Sequence, residues 1–269
     1  MSSEFYLRMA RKFAVLLAYF LMLAPVATVI AISFFNQEMV SFPPNGFTLT
    51  WYENAWAKKE FANGFLTSLR IALLATIIGV PLGTAAALGL NRSDIKGKGA
   101  LNTLLLSPLA VPGVVLGTAL YMFFVRLENV VNGEIIATTS SLVVAHVMLT
   151  IPWTIRLVGA SLINFDRSAE EAATNLGASS FTVFRRVTLP LLKPSLVAAS
   201  VFSFIASFEN LELSLLLVGP GVTTLPVAMM SYLEFRVDPT VSAVATVQIL
   251  LVALMLFITD RFVKLTKVI

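Results

Sequence analysis

The chain has 269 residues, of which 57% are hydrophobic and 13% charged, with a formal charge of +4 and a mean hydropathy of +0.86. Soluble domains carry about a quarter charged residues, so this composition points to a lipid-embedded chain. Cysteine is absent, which excludes disulfides, thiolate metal sites and a thiol nucleophile, and the small basic excess is dispersed between apolar runs, so no nucleic-acid partner is expected.

A helix needs about 20 predominantly apolar residues to cross the hydrocarbon layer. Six segments have that length: 13–35, 69–90, 101–125, 141–163, 191–218 and 241–263. Backbone in hydrocarbon must satisfy its own hydrogen bonds, and these segments lack the polar–apolar alternation of barrel strands. The expected fold is therefore all-α and integral to the membrane, with about six transmembrane helices, and residues 1–269 form one membrane domain. The first segment follows Arg8, Arg11 and Lys12, as a secretory signal would, but it is longer than a signal core and no clear cleavage site follows it, which predicts a retained helix.

Orientation follows from lysine and arginine. One set of connections carries Arg8, Arg11, Lys12, Arg92, Lys96, Lys98, Arg167, Arg185, Arg186, Lys193, Arg261, Lys264 and Lys267; the other carries only Lys58, Lys59, Arg126 and Arg236. Both termini are expected in the cytoplasm of a multi-pass protein. In the first outer segment, Trp51, Tyr52 and Trp56 have the character of an interfacial aromatic belt. Pro25, Pro81, Pro108, Pro112 and Pro152 predict kinks within spans, and Gly79 with Gly83, and Gly113 with Gly117, predict close helix approach. His146 has no second histidine or cysteine nearby and is expected to be a packing or pore residue rather than a metal ligand. No metal site is expected.

Between the fourth and fifth spans, residues 166–190 are too polar to be another span and too regular for a slack loop. Ser168 and Glu171 have the spacing of a capping box, Gly177 suits a turn after the first short helix, and a second short helix with Phe181, Phe184 and Val187 on one side is expected to stop at Pro190. The product is a cytoplasmic helix-turn-helix. On physical grounds it could be gripped by a soluble partner or lie on anionic lipid through Arg185 and Arg186.

In the fifth span, Glu209 and Glu212 are spaced to share a helical face beside Asn210. Carboxylates at membrane depth are costly and generally face a bundle interior or an aqueous path. They are candidates to line a translocation path and favour a cationic group; pairing with an internal base such as Arg156 is the alternative. No Gly-x4-Gly-Lys-Ser/Thr phosphate loop occurs, since Gly97-Lys98-Gly99 lacks both the upstream glycine and the hydroxyl residue. No catalytic set is apparent.

The segment 166–190 resembles the hallmark of the inner-membrane permeases of bacterial binding-protein-dependent ABC importers: Glu-Ala-Ala, three residues, Gly, nine residues, Ile, one residue, Leu-Pro. Here the residues are Glu171, Ala172, Ala173, Gly177, Val187, Leu189 and Pro190, with valine in place of isoleucine. The resemblance implies a non-enzymatic transport subunit forming half of a path across the bacterial inner membrane. It implies as partners a second permease, two ATPase subunits that bind ATP and Mg, and a periplasmic or extracellular solute-binding protein. Residues 166–190 would couple to the ATPase, with Glu171 anchoring and Gly177 turning the coupling element.

Across nearly its whole length the chain is similar to the second permease of spermidine/putrescine importers, on Trp51-Tyr52, Glu209-Asn210, Gly219-Pro220, Leu225-Pro226 and Asp238-Pro239. Those permeases often carry paired acids where Glu209-Asn210 stands here. A small amine-containing solute such as a polyamine is therefore expected. The alternatives are an amino-acid derivative, an opine, an aminophosphonate or a metal ion, or a proton-coupled secondary transporter using Glu209, Glu212 and His146. Residues 226–239 could be a surface loop or a re-entrant segment.

Overall fold

A computed structural model describes residues 3–39, 41–163 and 165–263. Lys264 and Lys267, counted above among the basic residues, lie outside them. The described residues form helices joined by short connections, with only isolated β-bridges at Phe35–Phe47 and Gly219–Val222. Six helical runs are long and apolar enough to cross a membrane, as expected.

The chain divides into two compact units, residues 1–62 with 229–251, and residues 63–228 with 252–269. In the first, α1 (Ser3–Ile32) starts well before the expected span, because Arg8, Arg11 and Lys12 are good helix formers that extend it rather than stop it. No residue of its apolar stretch is fully buried. The following turn is pinned to α2 (Thr50–Ala57): the Trp51 indole N–H donates to the Phe35 carbonyl at 2.6 Å, and the Tyr52 hydroxyl meets Ser33 Oγ at 2.7 Å. Trp51 is buried and only Trp56 is exposed, so the expected aromatic belt is mostly a structural clasp.

Residues 226–239 are not a loop. Helix α11 (Leu225–Phe235) fills most of them, and its Tyr232 hydroxyl donates to Asp238 Oδ2 at 2.6 Å while Lys58 Nζ lies 5.1 Å from the Tyr232 ring centroid. The Asp238 carboxyl is held below its ordinary value: burial opposes ionisation, but hydrogen bonds from Thr240 and Tyr232, with the attraction of Lys58, outweigh it. Asp238 Oδ1 accepts from the Thr240 amide as α12 (Thr240–Val263) begins.

The second unit carries most of α3 (Lys59–Arg92), and all of α4 (Lys98–Leu106), α5 (Gly113–Val131), α6 (Thr139–Ile163), α7 (Ser168–Asn175), α8 (Ser180–Val183), α9 (Leu189–Phe208) and α10 (Glu212–Leu217). The third span, expected to be continuous, is broken: α4 ends, a 3-10 turn covers Ser107–Leu109, and α5 starts after Pro112. Pro108 and Pro112 each lack an N–H and clash with the preceding turn, so two of them four residues apart stop the α-helix rather than bend it. Helices α3 and α6 meet closely, since a Cβ at Gly79 or Gly83 would overlap Thr150 or Thr154. Gly113 and Gly117 play the same part against Glu212 and Leu216 of α10. Packing is what these glycines provide.

One apolar core gathers Ile71, Leu120, Phe124, Leu142, Leu213 and Leu217, and another gathers Ala87, Leu88, Val158, Leu162, Leu192 and Ala199. The first seats α10 and α5, and the second seats the base of α9, so the two parts of the broken fifth span are fixed by different cores.

Candidate functional site

Two regions of the second unit bear on function. In the first, α7 and α8 form the expected helix-turn-helix, and Gly177 adopts φ +85°, a left-handed turn that a side chain would strain. The expected capping box does not form. Asp166 takes the role instead, accepting from the Ser168 amide at 2.9 Å and the Ser168 hydroxyl at 2.8 Å. An ionised carboxylate is the stronger acceptor and also suits the positive end of a helix, and those two bonds hold Asp166 below its ordinary pKa.

The second short helix does not stop at Pro190 either. A π-turn over Phe184–Thr188 joins α8 to α9, and the Leu189 amide reaches back to the Phe184 carbonyl. Pro190 then falls in the first turn of α9, where its missing N–H costs no intrahelical bond. The buried side of this stretch is Val183 and Thr188; Phe181 is 69% exposed and Leu176 89% exposed, so the expected Phe181 face is turned outward.

Adjacent glutamates differ in role. Glu170 is tied to the end of α3: Arg92 Nη2 donates to Glu170 Oε1 at 2.6 Å and the buried Thr188 hydroxyl donates to the same oxygen. Beside this latch, Arg167 donates to Asn91 Oδ1 at 2.8 Å. Glu171, which sequence reasoning picked as the anchor, is exposed and its side chain holds no partner among the described residues. Ala172, Ala173, Gly177, Val187, Leu189 and Pro190 fall on α7, the turn, the π-turn and the start of α9. Sequence reasoning missed Glu170 and Arg92. The signal available was an acid in the first turn of α7, but its partner is 78 residues away.

The second region is the end of α9, about 30 Å of helix from Leu189. The helix stops at Phe208, residues 209–211 are not helical, and α10 begins at Glu212. Glu209 and Glu212 therefore do not share a helical face. Glu209 is exposed, and while its amide donates to the Ile205 carbonyl, its side chain makes no hydrogen bond or ion pair among the described residues. Asn210 caps α10, its Oδ1 accepting from the Leu213 amide at 2.9 Å. Glu212 lies against Gly113 at the start of α5, where any Cβ would overlap its carboxylate. No ion pair joins either glutamate to Arg156 among the described residues, and no cluster there is suited to a metal ion.

Behind the break, a polar seam runs between α6 and α9. His146 Nδ1 lies 2.7 Å from Ser207 Oγ and its Nε2 3.2 Å from Ser214 Oγ. Thr154 and Ser203 continue the seam, and Trp153 stacks on Phe202.

These features meet the result of comparison with known proteins. The sequence profile of binding-protein-dependent transport system inner membrane components matches residues 79–267. The chain belongs to that family. It is an ABC importer permease, a multi-pass inner-membrane transport subunit rather than an enzyme. The putrescine transport permease PotI of Escherichia coli K12 is 29% identical over 86% of this chain and 82% of its own length. The spermidine/putrescine permease PotC of Haemophilus influenzae is 29% identical, covering 93% of both chains. A putative 2-aminoethylphosphonate permease, PhnV of Salmonella paratyphi A, is 31% identical over 89% of this permease and 87% of its own length.

Among solved structures, a bacterial alginate ABC importer superposes with a TM-score of 0.72 at 13% identity, covering 97% of this chain and 98% of that one. The MetNI methionine ABC transporter superposes at 0.58 and 21% identity, covering 76% and 94%. These likenesses establish the fold of the permease.

Proposed function

We propose that this permease forms, with a second permease, the path for a small amine-bearing cation delivered by an external solute-binding protein, and that residues 166–190 seat in one of two ATPase subunits, which hold ATP and Mg. The observation that carries the substrate class is Glu209: an exposed, unpaired carboxylate on a helix break, where burial against a partner permease would leave it facing either water or a cation. The names of the polyamine permease relatives support the same class.

The coupling reading rests on the exposed Leu176 and Phe181, the free Glu171 carboxylate and the rigid attachment of the element to α3 through Arg92, Glu170 and Thr188. An element held in cis on one side and free on the other suits transmission of a partner's movement. The whole chain then works as one transmembrane domain with both termini in the cytoplasm, a reading that the distribution of lysine and arginine supports.

A second reading, an aminophosphonate, is favoured by the PhnV relative and by a groove of the second unit lined by Lys98 and Arg156 together with Asn91 and Asn102, which offers cations to an anionic group. Uptake of labelled spermidine, putrescine and 2-aminoethylphosphonate into proteoliposomes containing the full assembly separates them. Saturable, ATP-dependent polyamine uptake that Glu209→Gln weakens supports the first reading. Aminophosphonate uptake weakened by Arg156→Gln and untouched by Glu209→Gln supports the second.

A further inference from the structure

We infer that His146 is a positioning residue that braces the helix break and thereby presents Glu209 to the path, an inference resting on the reading that Glu209 lines that path. Its ring spans the break. One nitrogen meets Ser207, two residues before Glu209, and the other meets Ser214, five residues after it. His146 is 1% exposed, Ser207 2% and Ser214 0%, so no water competes for these bonds.

The direction of every proton in the chain can be deduced. Ser214 Oγ donates its single hydrogen to the Asn210 carbonyl at 2.9 Å, so toward His146 it can only accept. Nε2 therefore carries a proton, and in the neutral ring Nδ1 accepts from the Ser207 hydroxyl. The result is one directed sequence, Ser207 O–H to Nδ1, Nε2–H to Ser214 Oγ, Ser214 O–H to the Asn210 carbonyl, which leaves neither ring nitrogen open to a transported proton.

The brace compensates for the lost helix. The Glu209 and Asn210 amides still reach back to the Ile205 and Ser207 carbonyls, but the helix goes no further, and a break at membrane depth persists only where protein satisfies it. Here Ser214 takes the Asn210 carbonyl, Asn210 Oδ1 takes the Leu213 amide, and the imidazole joins the two ends across a rigid five-membered ring. Glu209, alone among these side chains, is left without a partner. Its direction is set by the segment on which it sits, and the ends of that segment are held by His146.

The chain contains no cysteine, so Glu209→Cys creates its single thiol, and label on this chain, separated from the other subunits after reaction, reports on the break. The assembled importer carrying Glu209→Cys is treated with a membrane-impermeant, positively charged methanethiosulfonate, and the labelling rate is compared with that of the same reporter in His146→Leu, Ser207→Ala and Ser214→Ala backgrounds. Co-purification with the ATPase reports assembly separately.

The brace predicts a labelling rate altered by about five-fold or more, the change in population that loss of one neutral hydrogen bond controls, with assembly retained. Labelling at an unchanged rate in all assembled variants overturns the brace and leaves the path reading standing. No labelling in the reference protein overturns the path reading, and the brace's role with it. If His146→Leu does not assemble, the two serine variants, which keep the ring and remove one hydroxyl each, decide by the same rate.

Discussion

Glu170 and Glu171 are consecutive, chemically identical and opposite in situation. Loss of Glu170 strands the fully buried Thr188 hydroxyl, and an unsatisfied buried donor costs about 1–3 kcal/mol. Glu170→Ala is accordingly expected to lower the thermal midpoint of the purified permease, whereas Glu171→Lys leaves it unchanged and lowers the solute transported per ATP hydrolysed. A destabilised Glu171→Lys, or one with normal coupling, contradicts this division. Asp238 provides a test by pH. Its carboxyl is held below its ordinary value of 3.8, so its stabilising effect is fully present above that value and is lost as pH falls through the lower, folded-state value. Protection of the Thr240 amide from hydrogen exchange, measured against the intrinsic rate at each pH, is expected to fall below pH 3.8 in the wild type and to be lost at neutral pH in Asp238→Ala.

The elements owe their form to a few residues that interrupt the helix. Gly177 holds a left-handed turn between α7 and α8, a conformation that costs a residue with a side chain roughly 1–2 kcal/mol. With open space around it, Gly177→Val is expected to leave membrane insertion intact while misaligning the coupling element, seen as ATPase activity that no longer responds to the loaded binding protein. Gly79 is the contrasting case: its position is crowded by Thr150, so Gly79→Leu should force α3 and α6 apart and destabilise the permease by about 1–3 kcal/mol, measured as a lowered thermal midpoint. Six spans, the short helix pair between the fourth and fifth of them and its turn at Gly177 were all legible along the chain, because hydrophobic length and backbone freedom are local properties. The break at Pro108–Pro112 was foreseen only as a kink, and the break at 209–211 was not foreseen, since no proline or glycine marks it. The helix ends there because Asn210 caps α10 and the Ser214 hydroxyl takes the Asn210 carbonyl.

Across the molecule, the absence of cysteine makes topology directly testable. Single cysteines at Ser3 and at Trp56 should differ: an impermeant thiol reagent added to intact spheroplasts is expected to label Trp56→Cys and to reach Ser3→Cys only after lysis, and labelling of both from outside would reverse the orientation inferred from lysine and arginine. Membrane residence, family and the helix-turn-helix follow from quantities carried along the chain, apolar length and the spacing of Glu171, Gly177 and Pro190, and the proposed orientation from the position of basic residues. Each is read within one segment and needs no distant contact. Which glutamate is latched, which acid stands free and what the single histidine binds depended on tertiary structure. Arg92 finds Glu170 at a separation of 78 residues, and His146 finds Ser207 and Ser214 at 61 and 68. The reason is physical: a buried polar group is defined by the partner that satisfies it, and only the packing of α3 with α7, and of α6 with α9 and α10, brings those partners together.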